Sequence, residues 1–242
     1  RYCSLDYMLK ERYSEKLYKL SLNGGMTCPN RDGKISEGGC IFCSAGGSGD
    51  FAANFNPDIA KQIEQAKTLV SKKYQGNRFI AYFQAYTNTY APVEYLRKLF
   101  MDTIMRDDIA ILSIATRPDC LGDDVIELLA ELNRIKPVWV ELGLQTINES
   151  TARLINRGYE LSCYDEAVRR LRNIGVEIIT HMIIGLPYET KEDILSTAEY
   201  IGKTANGIKL QLMHILKNTK LLEMYEKGEF KALTEEEYIE IV

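Results

Sequence analysis

Three cysteines in one short stretch have the type and spacing of residues that do chemistry. Cys28, Cys40 and Cys43 lie within sixteen positions, in a segment that reads CPNRDGKISEGGCIFC. The glycines of this segment let the backbone fold back, so that the three sulfurs can converge. The stretch is therefore predicted to hold a metal ion or an iron–sulfur cluster.

The occupant of such a site is open to several interpretations. Three thiolates are one short of the four that hold an ordinary [4Fe–4S] cluster, so a cluster here would leave one iron open to another ligand. Zinc is the competing occupant because Cys-x2-Cys is also a zinc spacing, but a closed Cys3His site would need His181 or His214. Unrelated buried thiols or a disulfide pair need no bound group. We favour the cluster, because cysteines that converge in a glycine-rich loop rarely serve packing alone.

The cysteine segment resembles radical S-adenosylmethionine (SAM) enzymes. The features in common are the spacing Cys-x11-Cys-x2-Cys, the aromatic Phe42, and the glycine-rich tail CSAGGSGDF over residues 43–51. The usual radical SAM spacing is Cys-x3-Cys-x2-Cys, and the longer first gap is similar to the branch related to the catalytic subunit of Elongator. The resemblance implies a [4Fe–4S] cluster on Cys28, Cys40 and Cys43, with SAM chelating the open iron. It also implies a 5′-deoxyadenosyl radical that abstracts hydrogen from an unreactive C–H bond.

Apolar strands alternate with amphipathic helices along the rest of the chain. Strands are predicted over residues 17–22, 79–83, 109–115, 138–144, 176–184 and 208–212. Continuous apolar strands joined by helices predict a parallel α/β sheet buried on both faces, and six strands are too few for a closed eightfold barrel. Alternation alone also allows a doubly wound sheet. The resemblance implies the open, partial (β/α)6 barrel of radical SAM enzymes, with residues 1–19 as a short N-terminal extension.

Two helix starts carry capping signals. Ser162 with Asp165, and Thr190 with Asp193, have the spacing of a capping box. A helix is therefore expected to begin after each hydroxyl residue. Further helices are predicted over residues 57–74, 92–100 and 123–132, and from residue 219 onward.

Polar residues follow the second predicted strand, and ligands of parallel α/β architectures bind at the carboxyl ends of strands. Thr87, Asn88 and Thr89 offer hydroxyl and amide groups to a carboxylate and an ammonium. By resemblance, this is where radical SAM enzymes bind the methionine moiety of SAM. Each residue alone is also typical of a cap or a strand-end hydrogen bond.

The fourth and fifth strands end in further polar or glycine-containing motifs. Gln145 ends the fourth strand and Arg157 follows twelve residues later, and the resemblance implies contacts of Gln145 with the ribose and Arg157 with the carboxylate of SAM. The fifth strand carries His181 and leads into Gly185-Leu-Pro, which resembles an element beside the adenosine. These residues complete the predicted cofactor site.

Two polar residues and two cysteines outside that set also have side chains that can do chemistry. Gln211 and His214 lie near the end of the sixth strand, where His214 is either structural or a contact for SAM or substrate. Cys120 and Cys163 have no spaced partner, so we expect buried structural thiols.

Length and composition limit the possible domain organisation and cellular location of the protein. The 242 residues contain no linker-like segment, so one domain over residues 1–242 is expected, and a further carboxy-terminal segment is expected because residues 235–242 end inside a helical pattern. Six cysteines without an apolar signal segment indicate the reducing cytoplasm. No apolar run reaches membrane-spanning length.

The partners follow mainly from the resemblance. It implies modification of the tRNA wobble uridine and an external electron donor such as flavodoxin or ferredoxin. A net charge of −4 provides no global attraction to RNA, so a tRNA substrate would have to bind a local basic patch, for which the extension is the best candidate. That patch comprises Lys10, Arg12, Lys16 and Lys19. Because the basic excess is small, the preferred interpretation of the extension is a surface segment that packs its tyrosines on the domain. A small-metabolite substrate, or a non-catalytic zinc or cluster RNA-binding module, are the alternatives.

Overall fold

The computed structural model describes residues 2–47, 49–50, 52–74 and 76–242. Two positions of the glycine-rich tail that carries part of the resemblance, Ser48 and Phe51, lie outside the described residues.

Six parallel strands form one sheet in unbroken sequence order, β1 to β6. Their bounds are β1 Tyr18–Leu22, β2 Phe79–Phe83, β3 Ile109–Thr116, β4 Val138–Gln145, β5 Glu177–Ile184 and β6 Gly207–Leu212. A doubly wound sheet reverses its strand order at a switch point, and this sheet has no such reversal among the described residues. The predicted partial (β/α)6 barrel is confirmed, because strands added always in the same direction curl toward a barrel.

The helices of the described residues are α1 Leu5–Tyr13, α2 Ile59–Val70, α3 Val93–Ile104, α4 Asp123–Asn133, α5 Glu149–Leu154, α6 Leu161–Asn173, α7 Lys191–Thr204, α8 Lys220–Glu226 and α9 Glu235–Ile241. Helices α2, α3, α4, α6 and α7 pack on the outer face of the sheet. The main core is formed by the outward side chains of the strands, such as Leu20, Phe83 and Ile114, against the apolar faces of these helices. None of the helices in the described ranges is long and apolar enough to cross a membrane.

The two predicted capping boxes differ in outcome. Thr190 and Asp193 form a complete capping box at the start of α7. The prediction for Ser162 is wrong, because α6 begins at Leu161 with Glu160 at its N-cap and no side-chain cap bond. The helix starts earlier because Leu161 packs against the main core and its backbone N–H already donates to the Glu149 carboxylate.

The N-terminal extension forms a helix that closes the amino-terminal end of the barrel. Leu9 of α1 is 2% exposed and packs in a separate apolar cluster with Ile80, Ile111 and Trp139, which are early residues of β2, β3 and β4. This helix was not predicted from the sequence, which indicated only a short surface extension over residues 1–19. Because α1 seals one end, the interior of the barrel opens toward the carboxyl ends of the strands.

Inward side chains change character along the strands. Next to α1 the inward side chains are apolar, as at Ile80, Ile111 and Trp139, and two residues further along these strands the inward side chain is polar or charged. The other three strands also place a polar or charged side chain at this level of the interior. We call this set the polar layer: Lys19, Tyr82, Ser113, Glu141, His181 and Lys209. Beyond it, toward the carboxyl ends, lies the cavity of the candidate site.

Candidate cluster and cofactor site

The cysteine loop joins β1 to α2, and its three predicted ligands lie on the wall of one cavity of about 340 Å³. Positive φ angles at Gly33, Gly38 and Gly39 provide the backbone reversals that the sequence predicted. The turn between the last two cysteines closes through the N–H of Cys43, which donates to the carbonyl of Cys40 at 3.0 Å. The loop therefore presents Cys28, Cys40 and Cys43 to a common space.

Arg31 cross-links the backbone of the cysteine loop. Its guanidinium donates to the carbonyls of Cys43 at 3.4 Å and Ala45 at 3.4 Å, and also to that of Ser44. A hydrogen bond from the Cys40 thiol, supported by the charge of Arg31, holds the pKa of Cys43 below its ordinary value. The same hydrogen bond, together with burial, raises the pKa of Cys40 well above its ordinary value, so within this pair Cys43 is the favoured thiolate.

Asparagines tie the loop to the segment after β4. Asn30 is fully buried, and its Nδ2 donates to the sulfur of Cys40 at 3.6 Å and to the carbonyl of Asn156 at 2.6 Å. Asn156 donates in turn to the carbonyl of Gly39 at 2.9 Å. An amide donor aimed at a cysteine sulfur is the kind of contact that tunes iron–sulfur clusters.

The remaining wall comes from the strand ends and from the polar layer. Residues predicted from the sequence to lie at the site and found on this wall are Thr87, Gln145, Arg157, His181, Gln211 and His214. Gln145 has a φ of 66° at the irregular end of β4. A non-glycine residue in the left-handed region costs about 1 kcal/mol or more and often marks a functional position.

Three other predicted residues, Asn88, Thr89 and Gly185, lie away from the cavity wall. Asn88 donates from Nδ2 to the carbonyls of Phe83 and Ala115, both at 3.0 Å. Thr89 shares a hydrogen bond with Thr116 and donates to the carbonyl of Cys120. These side chains connect the ends of β2 and β3, as strand-end polar residues commonly do.

Gly185 has a φ of 89° just after β5, and a Cβ there would come within 3.0 Å of Leu233. It allows a turn against the carboxy-terminal segment rather than forming cavity wall.

Arg157 reaches the wall with its guanidinium already bonded to the protein. It is 1% exposed and donates to the carbonyls of Tyr159 and Thr146 at 2.9 and 2.7 Å, and to the carboxylate of Glu149 at 3.0 Å. Tyr159 lies between Arg157 and Arg117, with guanidinium carbons 4.7 and 5.0 Å from the ring centroid. This arrangement fixes the segment that supports the cysteine loop.

The polar layer contains charged groups that sequence reasoning missed. Glu141 is fully buried and accepts hydrogen bonds from Lys19 at 2.5 Å, Ser113 at 2.6 Å and His181 at 2.7 Å. Burial alone opposes ionisation of Glu141, but the His181 hydrogen bond and the charge of Lys19 hold its pKa far below the ordinary value. The available signal was a glutamate inside the otherwise apolar strand VWVELGLQ, which has to be paired when buried.

The predicted basic patch of the extension is not assembled. Lys19 points into the barrel, where it bonds Glu141. Arg12 pairs with Glu177 of β5, and Lys10 pairs with Asp6 on its own helix at 2.7 Å. Three of the four bases are therefore paired with carboxylates of the chain, and only Lys19 is turned away from the surface. Phosphate binding by the remaining bases stays a prediction.

Cys120 and Cys163, for which a buried structural role was predicted, are free and only half-buried. Burial raises the pKa of Cys120 to about 12 and raises that of Cys163 above its ordinary value. A thiol that resists ionisation is a poor nucleophile and a poor ligand, which agrees with the structural role predicted for both.

A single metal ion is a poorer fit than a cluster. In the described part of the chain, no three His, Cys, Asp or Glu side chains are close enough to share one ion. His181, one of the two histidines a zinc site would need, bonds Glu141 instead. A cubane spreads its cysteine ligands over three irons, so sulfurs that share a cavity without converging on one point suit it better.

Comparison with known proteins agrees with this chemistry. A model of the radical SAM superfamily matches residues 28–201, and a model of the Radical_SAM C-terminal domain matches residues 205–242. The chain belongs to the radical SAM superfamily. It is therefore a radical SAM enzyme, and its cofactors are those of the superfamily, a [4Fe–4S] cluster and SAM. The predicted enzyme is favoured over a non-catalytic RNA-binding module.

Individual relatives extend the comparison. YtqA of Bacillus subtilis is 47% identical over 243 residues, which cover 100% of this chain and 76% of that protein. The tRNA uridine(34) acetyltransferase of Methanocaldococcus infernus is 28% identical over 138 residues, 54% of this chain and 25% of that protein.

A solved structure, the Elp3 of Methanocaldococcus infernus, superimposes with a TM-score of 0.68 at 20% identity. The match covers 93% of this chain and 52% of the Elp3 chain, so the chain spans about half the length of that structure. The resemblance to the Elongator branch is confirmed.

Proposed function

We propose that Cys28, Cys40 and Cys43 ligate the [4Fe–4S] cluster and that SAM occupies the adjoining cavity. The observation that carries the proposal is the shared cavity wall, to which the three cysteines, Gln145 and Thr87 all contribute. When bound, the reduced cluster and SAM supply a 5′-deoxyadenosyl radical.

The residues of the chain then have distinct tasks. The thiolates bind the cluster, and Asn30 and Arg31 hold the loop in the shape that presents them. Gln145 and Thr87 offer polar groups to SAM, and Arg157 positions the segment on which Asn156 supports the loop. His181 lies on the same wall and is retained as a predicted neighbour of SAM. The contacts of Asn88, Thr89 and Gly185 with SAM stay predictions from the resemblance, since these residues lie away from the wall. The α1 helix closes the far end of the barrel, which limits entry of water to the radical chemistry.

We propose uridine in the tRNA anticodon as the substrate. The proposal is supported by the similarity to a tRNA uridine(34) acetyltransferase and to Elp3. Flavodoxin or ferredoxin is the proposed electron donor. Six free thiols support a reducing cytoplasmic location.

A small metabolite is the second candidate substrate. It is favoured by the ion pairs of Lys10, Arg12 and Lys19, which leave the extension without a cluster of four free bases. The net charge of −4 also provides no general attraction to RNA.

The cluster assignment is tested on anaerobically reconstituted protein. Cys28→Ala, Cys40→Ala and Cys43→Ala should each lose most iron and acid-labile sulfide and all cleavage of SAM, whereas Cys120→Ala and Cys163→Ala should keep both. Full iron content in Cys40→Ala would contradict the assignment.

The substrate is tested separately in cells with and without the protein. Nucleosides from hydrolysed tRNA and extracted metabolites are compared by mass spectrometry. A change confined to a modified uridine supports tRNA, and a change confined to a metabolite supports the second candidate.

A further inference from the structure

The polar layer places charges where a packed barrel interior would hold apolar side chains. Each of the six strands contributes one member, and Glu141 at its centre has no exposed surface. Burying a carboxylate and ammonium groups is costly in free energy unless opposite charges compensate them, so the charges within the layer are expected to balance.

The charges of the layer do not cancel. Glu141 is ionised and is bonded directly by Lys19 at 2.5 Å. His181 donates to the same carboxylate, and burial holds the pKa of His181 below its ordinary value, so the imidazole is neutral near pH 7. Lys209 is a second ammonium, 3.7 Å from Glu141. Two cations therefore face one anion.

Lys209 is the cation that faces the cavity. It lies on the cavity wall with one third of its side chain exposed, whereas Lys19 is not part of that wall. Its ammonium donates to the hydroxyl of Tyr82 at 3.0 Å and lies 4.9 Å from the centroid of that ring. An ammonium has three N–H donors, so Tyr82 orients Lys209 and leaves donor capacity for a ligand.

The excess charge acts in a confined, partly desolvated space. Burial lowers the pKa of Lys209, and the nearby Glu141 opposes that shift. A bound anion would therefore offset the unfavourable desolvation free energy of the Lys209 ammonium. Gln211, two residues further along β6, lies on the same wall and adds an amide to the polar surface. Together these groups match a ligand with one negatively charged oxygen group.

We propose that Lys209, oriented by Tyr82 and Glu141, forms a subsite that binds an anionic oxygen group of the substrate, a carboxylate or a phosphate. The inference rests on the proposed function, in that the substrate is taken to enter the cavity that the cysteine loop borders. It adds to that function a preference for anionic over neutral substrates at the inner end of the cavity.

The test measures nucleoside binding to the cluster-loaded protein by ligand-observed NMR. The probes are 5-carboxymethyluridine and its methyl ester, which differ in charge, together with uridine and uridine 5′-monophosphate. The acid should bind at least about tenfold more tightly than the ester, as expected for one charge-assisted hydrogen bond. In Lys209→Met the two should bind alike, and Lys209→Arg should keep the preference. Lys10→Met, which removes an exposed lysine of α1, is the control and should keep it too.

The probes also distinguish the source of the anion. A preference for the acid over its ester that Lys209→Met abolishes assigns a carboxylate on the base, and an equivalent preference for the monophosphate over uridine assigns a phosphate. Equal binding of charged and neutral probes, an unchanged preference in Lys209→Met, or no binding of any probe would overturn the subsite.

A competition experiment separates the substrate from SAM. SAM itself has a carboxylate, so displacement of SAM by 5-carboxymethyluridine would assign Lys209 to the cofactor and overturn the proposal. Cleavage of SAM by the unaltered protein is measured in parallel. Its absence would refute the proposed function, while the nucleoside preference would still decide whether the anion subsite exists.

Discussion

Arg157 illustrates how a residue near a cofactor cavity can act through the protein itself. Its donors are directed to backbone carbonyls and to Glu149. Arg157→Lys should lower the free energy of unfolding by about 2 to 4 kcal/mol, because an ammonium cannot replace a buried planar fork and leaves carbonyls unpaired. Urea unfolding measures the change.

A control for this effect is Arg169→Lys on α6, whose partner Glu166 lies on the exposed surface, and it should change stability little. If Arg157→Lys kept full stability but lost SAM affinity, the contact with the SAM carboxylate expected from the sequence would be the better explanation.

Gln145 is the predicted SAM ligand whose backbone is strained and whose side chain lies on the cavity wall. Gln145→Ala should weaken SAM binding by about tenfold, since one hydrogen bond is lost, while iron content stays near that of the unaltered protein. Equilibrium binding of SAM to the reconstituted protein tests this. Unchanged affinity would remove Gln145 from the site.

The helix starts allow a direct test of local sequence signals. Thr190 caps α7 by accepting from the N–H of Asp193, whereas Ser162 lies inside α6 and is exposed. Thr190→Ala should therefore cost about 1 kcal/mol of stability, and Ser162→Ala should cost close to nothing. Equal losses in thermal or urea unfolding would mean that Ser162 acts as a cap after all.

Asp108, in the connection before β3, joins that connection to α2. Burial opposes its ionisation, but hydrogen bonds from Arg106 and Lys67 hold its pKa at about 2. Because the pKa is lower in the folded state, the stabilisation is present above the unfolded value of 3.8 and is lost as the pH falls toward 2.

The corresponding substitution is Asp108→Asn. The side chain is 22% exposed, so water screens the interaction and the loss near pH 7 should be about 1 kcal/mol. Urea unfolding at pH 7, 4 and 3 should show a shrinking difference from the unaltered protein. Asp107→Asn, at the adjacent exposed position, is the control. A difference independent of pH would exclude ionisation as the cause.

Across the whole molecule, the polar layer connects strands that are far apart in the sheet. Lys19 on the edge strand β1 reaches Glu141 on β4, and Lys209 on the opposite edge strand β6 reaches Tyr82 on β2. The two ends of an open sheet are thus joined through its interior, in addition to the backbone pairing of neighbours.

Lys19→Met tests this connection. Removing the ammonium leaves the buried carboxylate of Glu141 with less compensation, so the free energy of unfolding should fall by about 2 to 4 kcal/mol. Lys10→Met, which removes an exposed ion pair of α1, should have little effect. Similar values for the two variants would show that the interior pair does not stabilise the barrel.

The sequence by itself predicted the six strands and proposed the cluster ligands. Strand β2 was predicted with its observed bounds, and Thr190 was recognised as a cap, because periodicity and capping depend on residues a few positions apart. The cysteine loop was recognisable for the same reason, since its chemistry is contained in sixteen consecutive positions.

The tertiary structure alone decided which side chains the site contains. Lys19 and Glu141 are 122 residues apart, and Lys209 and Tyr82 are 127 apart, so no local pattern connects them. Whether a polar side chain near a strand end faces a cavity or bonds a neighbouring strand depends on the register and curvature of the folded sheet. Asn88 and Gln145 are alike as sequence signals, and only the barrel separates the strand connector from the residue on the cavity wall.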